Sequence, residues 1–95
     1  MHKPTILVID DEVQIRKLLQ ITLESNDFEV RLSTNANEGI TQVAQYPPDL
    51  ILLDLGLPDR SGLDVLKHLR EWYLKPILII SIQSDEQAIV KALDS

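Results

Sequence analysis

The chain contains no cysteine, and only 3 of its 95 residues are glycine. Without thiols there is no disulfide framework and no thiolate metal site, a composition compatible with a reducing compartment. The few glycines form neither a phosphate-cradling loop nor a dinucleotide fingerprint, so nucleotide-binding readings have no motif to stand on. No apolar run reaches the roughly 20 residues needed to cross a bilayer. Met1-His2-Lys3-Pro4 leads straight into a strand-like segment instead of a secretory signal. Basic residues are scarce too: 9 Lys and Arg stand against 15 Asp and Glu, a formal net charge of -6. That balance argues against direct nucleic acid binding by this segment and suits a cationic metal or a basic partner patch. The expectation is a soluble, cytoplasmic domain with no membrane association.

What is present is ordinary for one globular domain, with 44% hydrophobic and 25% charged residues. The β-branched run Thr5-Ile6-Leu7-Val8-Ile9 predicts a first strand closed by Asp10-Asp11-Glu12. Between Val13 and Ser25, Ile15, Leu18, Leu19 and Leu23 recur three and four apart and predict a helix with one core face. Asp11 and Glu12 sit at its amino end, where the macrodipole favours negative charge. Phe28 to Leu32 alternates apolar and polar, as in an edge strand with one wet face. Asn35 with Glu38 opens a second helix, striped by Ala36, Ile40, Val43 and Ala44 and ended by Pro47-Pro48.

Asp49-Leu50-Ile51-Leu52-Leu53-Asp54 is apolar throughout its middle, which suits a strand buried on both faces of a parallel sheet. It breaks at once into Leu55-Gly56-Leu57-Pro58-Asp59. Ser61 and Asp64 have capping-box spacing ahead of a third helix, with Leu63, Leu66, Leu69 and Tyr73 on its apolar side and Trp72 finishing the core contact. Ile77-Leu78-Ile79-Ile80 is a fourth buried strand, and Ser84 with Gln87 opens a fourth helix carrying Ala88, Ile89, Ala92 and Leu93. Strand and helix alternate four times, which calls for a doubly wound parallel sheet with right-handed crossovers. The chain stops at Asp94-Ser95 without a closing strand, so the fourth strand is expected to be an exposed edge open to self-association.

Asp10, Asp11, Asp54 and Ser81 all fall at the carboxyl ends of predicted strands, where ligands of such sheets gather. Three carboxylates in one crevice repel unless a cation sits among them. Oxygen ligands without His or Cys favour a hard ion such as Mg²⁺. A carboxylate is ionised at neutral pH, so Asp54 can attack phosphorus without a general base. The Ser81 hydroxyl and the backbone N–H groups beyond Asp54 are candidate donors to phosphoryl oxygens. His2 and His68 lack partners in the pattern and receive no metal role.

The runs Ile-Leu-Val-Ile-Asp-Asp-Glu, Asp-Leu-Ile-Leu-Leu-Asp-Leu-Gly-Leu-Pro-Asp with Ser61-Gly62 beyond, and Ile-Leu-Ile-Ile-Ser together resemble the receiver domain of two-component response regulators. The resemblance covers residues 4–95. Gly-Leu-Pro-Asp and the Leu-Arg-Glu-Trp ending helix three are similar to the potassium-responsive branch of winged-helix transcriptional regulators. The resemblance implies a flavodoxin-like (CheY-like) α/β fold with strand order 2-1-3-4, lacking that family's fifth strand and helix.

It also implies roles. Asp54 would accept a phosphoryl group from a sensor histidine kinase. Asp11 would ligate Mg²⁺ directly, Asp10 partly through water, and Gly56 through its backbone carbonyl. Ser81 would hydrogen-bond the phosphoryl group and switch, while Pro58 and Gly62 shape the loop. Against the family pattern, the strand bearing a phosphoryl-contacting Lys is missing, and Ile82 stands where a small residue is usual. An alternative is therefore a degenerate receiver that serves as a protein-interaction module through the fourth-strand edge or fourth helix. A third reading, a phosphatase with an Asp nucleophile, wants a second Asp at position 56, which is Gly.

Overall fold

The computed structural model describes residues 3–80. Strands β1 (Thr5–Ile9), β2 (Glu29–Ser33), β3 (Leu50–Asp54) and β4 (Ile77–Ile80) alternate with helices α1 (Val13–Glu24), α2 (Ala36–Gln45) and α3 (Gly62–Arg70). All pairings are parallel and the sheet order is β2-β1-β3-β4, as the resemblance implies. The expected fourth helix, together with Ser81 and Ile82, lies outside the described residues.

The unbroken apolar character of β1 and β3 follows from their central position, because both faces of the sheet are covered. Leu7, Ile9, Ile51 and Leu53 point to one side and meet Ala36, Val43, Val65, Leu66, Leu69 and Tyr73. Ile6, Val8 and Leu52 point to the other and meet Leu19 and Leu23 of α1 together with Phe28. Strand β2 is an edge strand, as its alternation predicts, although its burial does not alternate: its first residue is exposed, its next three are half-buried and Ser33 is buried. Among the described residues β4 forms the opposite edge, and Leu78 on it is 50% exposed.

Three expected core residues lie elsewhere: Ala44 of the α2 stripe is exposed, because the buried side of that helix runs through Ala36, Gly39 and Val43, and Leu18 and Trp72 are exposed as well. Leu18 is 60% exposed. The seam of α1 runs through the i, i+4 pair Leu19 and Leu23, and at about 100° per residue Leu18 is rotated off it. Trp72 is 41% exposed, because α3 ends at Arg70 and the following turn sends only Tyr73 inward. Trp72 instead meets His68 edge to face, with centroids 6.0 Å apart.

Local capping sets the helix starts. Asn35 Oδ1 accepts from the Glu38 N–H at 2.8 Å, the expected cap of α2. Ser61 Oγ accepts from Leu63 N–H at 3.2 Å at the start of α3. At the start of α1 Glu12 stands at the N-cap position, as expected of an acid at the amino end, but makes no side-chain cap, and Asp10 Oδ1 accepts from the Glu12 N–H at 2.9 Å. At the other end of α1, Asp27 adopts a φ of 68°, a left-handed conformation that Asp tolerates. Phe28 N–H then returns to Leu23 C=O at 3.1 Å and turns the chain into β2.

The amino ends of the strands are tied by Asp49, whose Oδ2 accepts from Thr5 N–H at 2.7 Å and whose Oδ1 meets Lys75 Nζ at 3.2 Å. Beside it, the buried Tyr73 hydroxyl donates to Pro48 C=O at 2.9 Å. Burial, and then the Asp49 charge, push this phenol up to about 12 from its ordinary 10.0. The neutral phenol is the form the fold prefers, so its contribution is complete below pH 10.0 and is lost as pH rises through about 12. Tyr73→Phe leaves a buried carbonyl without its donor and costs about 1–3 kcal/mol. Urea unfolding measures that loss, and an alkaline absorbance titration of the variant lacks the late tyrosinate step. Unchanged stability would show that the hydroxyl is not holding β3.

Candidate functional site

The site grows from the adjacency of β1 and β3. Ile9 pairs with Leu53, so the residues that follow, Asp10 and Asp54, come level at the carboxyl end of the sheet. Asp10 continues the ladder by donating its N–H to Ser33 C=O at 3.0 Å and is 3% exposed. Asp11, one residue on, is exposed, and Asp54 is half-buried. Each of the three offers a carboxylate oxygen within 4.8 Å of the other two. On the far side of β3, Asp54 pairs with Ile80. Ser81, the fourth candidate, lies outside the described residues.

Gly56 is held against the cluster through its backbone, its N–H donating to Asp54 Oδ1 at 3.1 Å. A Cβ at position 56 would meet only that oxygen, at 3.9 Å, so the position offers main-chain groups in open space.

Burial raises the Asp54 carboxyl above its ordinary range, and the negative charges of Asp10 and Asp11 raise it further, against the lowering effect of the Gly56 N–H. Asp10 is raised in the same way, by burial first and by the charges of Asp11 and Glu12. The Glu12 N–H and the Arg16 guanidinium oppose that rise. The cluster is therefore under electrostatic stress that a hard divalent cation would relieve, and its all-oxygen donor set fits such an ion.

The model of the response regulator receiver domain matches residues 6–95. The chain belongs to this family. It is 42% identical over 90 residues to the transcriptional regulatory protein KdpE of Mycobacterium tuberculosis, an alignment covering 95% of this chain and 40% of the relative. The KDP operon transcriptional regulatory protein KdpE of Escherichia coli is 37% identical over 90 residues, with the same coverage. The chain thus spans about two-fifths of the length of these relatives. Among solved structures, the BeF3-activated N-terminal receiver domain of Klebsiella pneumoniae RstA superposes with a TM-score of 0.89 over 95% of this chain and 77% of that one, at 23% identity. That likeness speaks to fold.

Two residues of this receiver domain act around the site without having been singled out from the sequence. Arg16 donates from Nη1 to the Asp10 backbone carbonyl at 2.8 Å and so ties the acidic loop to α1. The only signal for it was a positive charge one turn into a helix that begins in acids. Asp59 accepts from Ala36 N–H at 2.8 Å and Asn37 N–H at 2.9 Å, capping α2 from the β3–α3 loop. Its donors lie 22 and 23 residues away, beyond the reach of local capping rules. Among the described residues no helix is long and apolar enough to cross a membrane.

Proposed function

We propose that this receiver domain is a phosphorylation-controlled switch in which Asp54 accepts a phosphoryl group from the phosphohistidine of a sensor kinase. The observation that carries the reading is the convergence of Asp54 at the end of β3 with the adjacent pair Asp10 and Asp11 after β1, three carboxylates from two distant parts of the chain with oxygens within 4.8 Å. Isolated turn-forming or capping acids have no reason to meet at such electrostatic cost. One carboxylate oxygen of Asp54 attacks phosphorus, the P–N bond to the imidazole breaks, and an acyl phosphate forms on Asp54. Asp10, Asp11, Asp54 and the Gly56 carbonyl would hold Mg²⁺, which supplies charge neutralisation and a hold on the phosphoryl oxygens. Gly56 N–H orients the Asp54 carboxylate through the bond at 3.1 Å. Ser81 is assigned the phosphoryl hydrogen bond and the switch.

The domain is a signalling module and not a turnover enzyme, since its nucleophile is consumed until the acyl phosphate hydrolyses. Residues 1–95 are read as one receiver domain. Transcriptional output would come through a DNA-binding segment of the kind expected of relatives named as transcriptional regulators, not through this acidic segment. We place it in the cytoplasm with its kinase.

Incubation with Mg²⁺ and acetyl phosphate, followed by intact and peptide mass spectrometry, tests the reading. One phosphoryl group is expected, located on Asp54. Unmodified protein at all Mg²⁺ concentrations would overturn it. The second reading, an interaction module without phosphate, draws support from the half-exposed Leu78 at the β4 edge. It predicts an unmodified Asp54 together with concentration-dependent association in light scattering.

A further inference from the structure

The loop between Asp54 and Gly62 carries the backbone groups that surround the proposed phosphoacceptor. Two of its hydrogen bonds are internal to it: Gly56 N–H to Asp54 Oδ1 at 3.1 Å and Gly62 N–H to Leu55 C=O at 3.1 Å. Internal bonds shape a loop but do not fix it against the rest of the fold. Asp59 joins it to another element, since both of its carboxylate oxygens are engaged by the first turn of α2, Oδ1 by Ala36 N–H and Oδ2 by Asn37 N–H. The same contacts hold the Asp59 carboxyl below its ordinary range, although the residue is exposed. Asn35 already caps α2 through Glu38 N–H at 2.8 Å, so α2 has a cap of its own. The contribution of Asp59 is then to the loop as much as to the helix.

We infer that Asp59 is a positioning residue for phosphoryl acceptance: it latches the β3–α3 loop to the amino end of α2 and thereby holds Gly56 in register with Asp54. Buried Leu57, two residues before Asp59, seats the loop from below, and the latch fixes its outer turn. Freed from α2, the loop samples positions in which the Gly56 backbone no longer meets the Asp54 carboxylate. This inference rests on the reading of Asp54 as phosphoacceptor.

Asn35→Ala and Asp59→Ala separate capping from positioning, because each removes acceptors from the same helix terminus and only the second releases the loop. Both variants are expected to lose similar stability, and in Asp59→Ala the amide protons of Ala36 and Asn37 exchange faster. At a temperature where all forms are folded and Mg²⁺ is saturating, Asp59→Ala takes phosphate from acetyl phosphate roughly tenfold more slowly. Asn35→Ala stays within about twofold of the unsubstituted chain. Asp59→Asn, which keeps one acceptor oxygen, falls between and serves if the alanine variant does not fold. Equal rates for Asp59→Ala and Asn35→Ala, with faster exchange at Ala36 and Asn37, would reduce Asp59 to a helix cap and overturn the inference. If the unsubstituted chain takes no phosphate, the reading of Asp54 fails on its own. Calorimetric Mg²⁺ binding then decides for Asp59: a roughly tenfold loss of affinity in Asp59→Ala supports the latch, and unchanged affinity overturns it.

Discussion

Replacing Gly62 by alanine lowers the stability of the chain by about 3 kcal/mol, at the upper end of what overpacking costs, and slows phosphoryl acceptance as well. A Cβ at position 62 would stand 2.5 Å from Leu55 Cα and 2.6 Å from the Asp54 carbonyl oxygen. Both are backbone atoms of the strand end, so relief requires moving the main chain that carries Asp54. Glycine is demanded here by close approach. Because Gly62 N–H also bonds Leu55 C=O at 3.1 Å, the displacement opens the base of the loop.

Thermal unfolding should show a drop of roughly 15 °C for a domain of this size. Phosphorylation by acetyl phosphate at low temperature should fall further than stability alone explains. Gly39→Ala is the matched control. Its Cβ would press on side-chain atoms of Ile9, the nearest at 2.6 Å, and the gain of about 1 kcal/mol from removing glycine from a helix interior offsets part of the strain. An unshifted melting temperature for Gly62→Ala would mean that the strand end yields freely and that the loop is not braced as described.

The second large effect concerns the carboxylate cluster. Asp54→Asn is expected to abolish phosphate uptake and, in EDTA at pH 7, to make the protein more stable than the unsubstituted chain. The sign follows from the raised carboxyls. A group whose folded pKa lies above its ordinary 3.8 contributes stability that is complete below 3.8 and is lost as pH rises through the raised value. At neutral pH the negative charges of half-buried Asp54 and buried Asp10 therefore work against the fold, and an amide at position 54 removes part of that penalty. Below pH 3.8 the advantage of Asp54→Asn should vanish, since the carboxyl is neutral in both folded and unfolded chains.

Mg²⁺ should reverse the order. At ten times its dissociation constant a ligand stabilises by about 1.4 kcal/mol, which for this size is roughly 5–10 °C. The unsubstituted chain should gain this and Asp54→Asn should gain far less. Differential scanning fluorimetry with and without Mg²⁺ measures both. Equal Mg²⁺ shifts in the two proteins would exclude the cluster as the binding site.

Much of this was legible in the sequence for a local reason. A buried parallel strand must be apolar at every position, so β1 and β3 announced themselves, and the residue ending each of those runs was identifiable without coordinates; β4 is as apolar, yet none of its residues is buried, so apolar character alone did not tell an edge from a centre. Likewise the Asn35 to Glu38 cap lies within four residues, and the alternation of β2 reports an edge strand directly. The order β2-β1-β3-β4 came from resemblance, because nothing local to a strand states which neighbour it takes.

Where local rules and packing compete, the tertiary structure decided. Leu18 matched the helical spacing yet lies off the seam, since of the four candidate apolar positions on α1 it is Leu19 and Leu23 that pack against the sheet. Asp10 and Asp11 are indistinguishable as letters, but the ladder bond to Ser33 carries the first into the core at 3% exposure and leaves the second in solvent. By itself the sequence determined that Asp10, Asp11 and Asp54 follow or end buried strands and so gather at one end of the sheet, through residue type and position. Only the folded chain decided how those carboxylates are braced, because Asp59 reaches α2 amides far away in the sequence, while Arg16 on Asp10 and Gly62 against the end of β3 depend on turn geometry that residue type does not state.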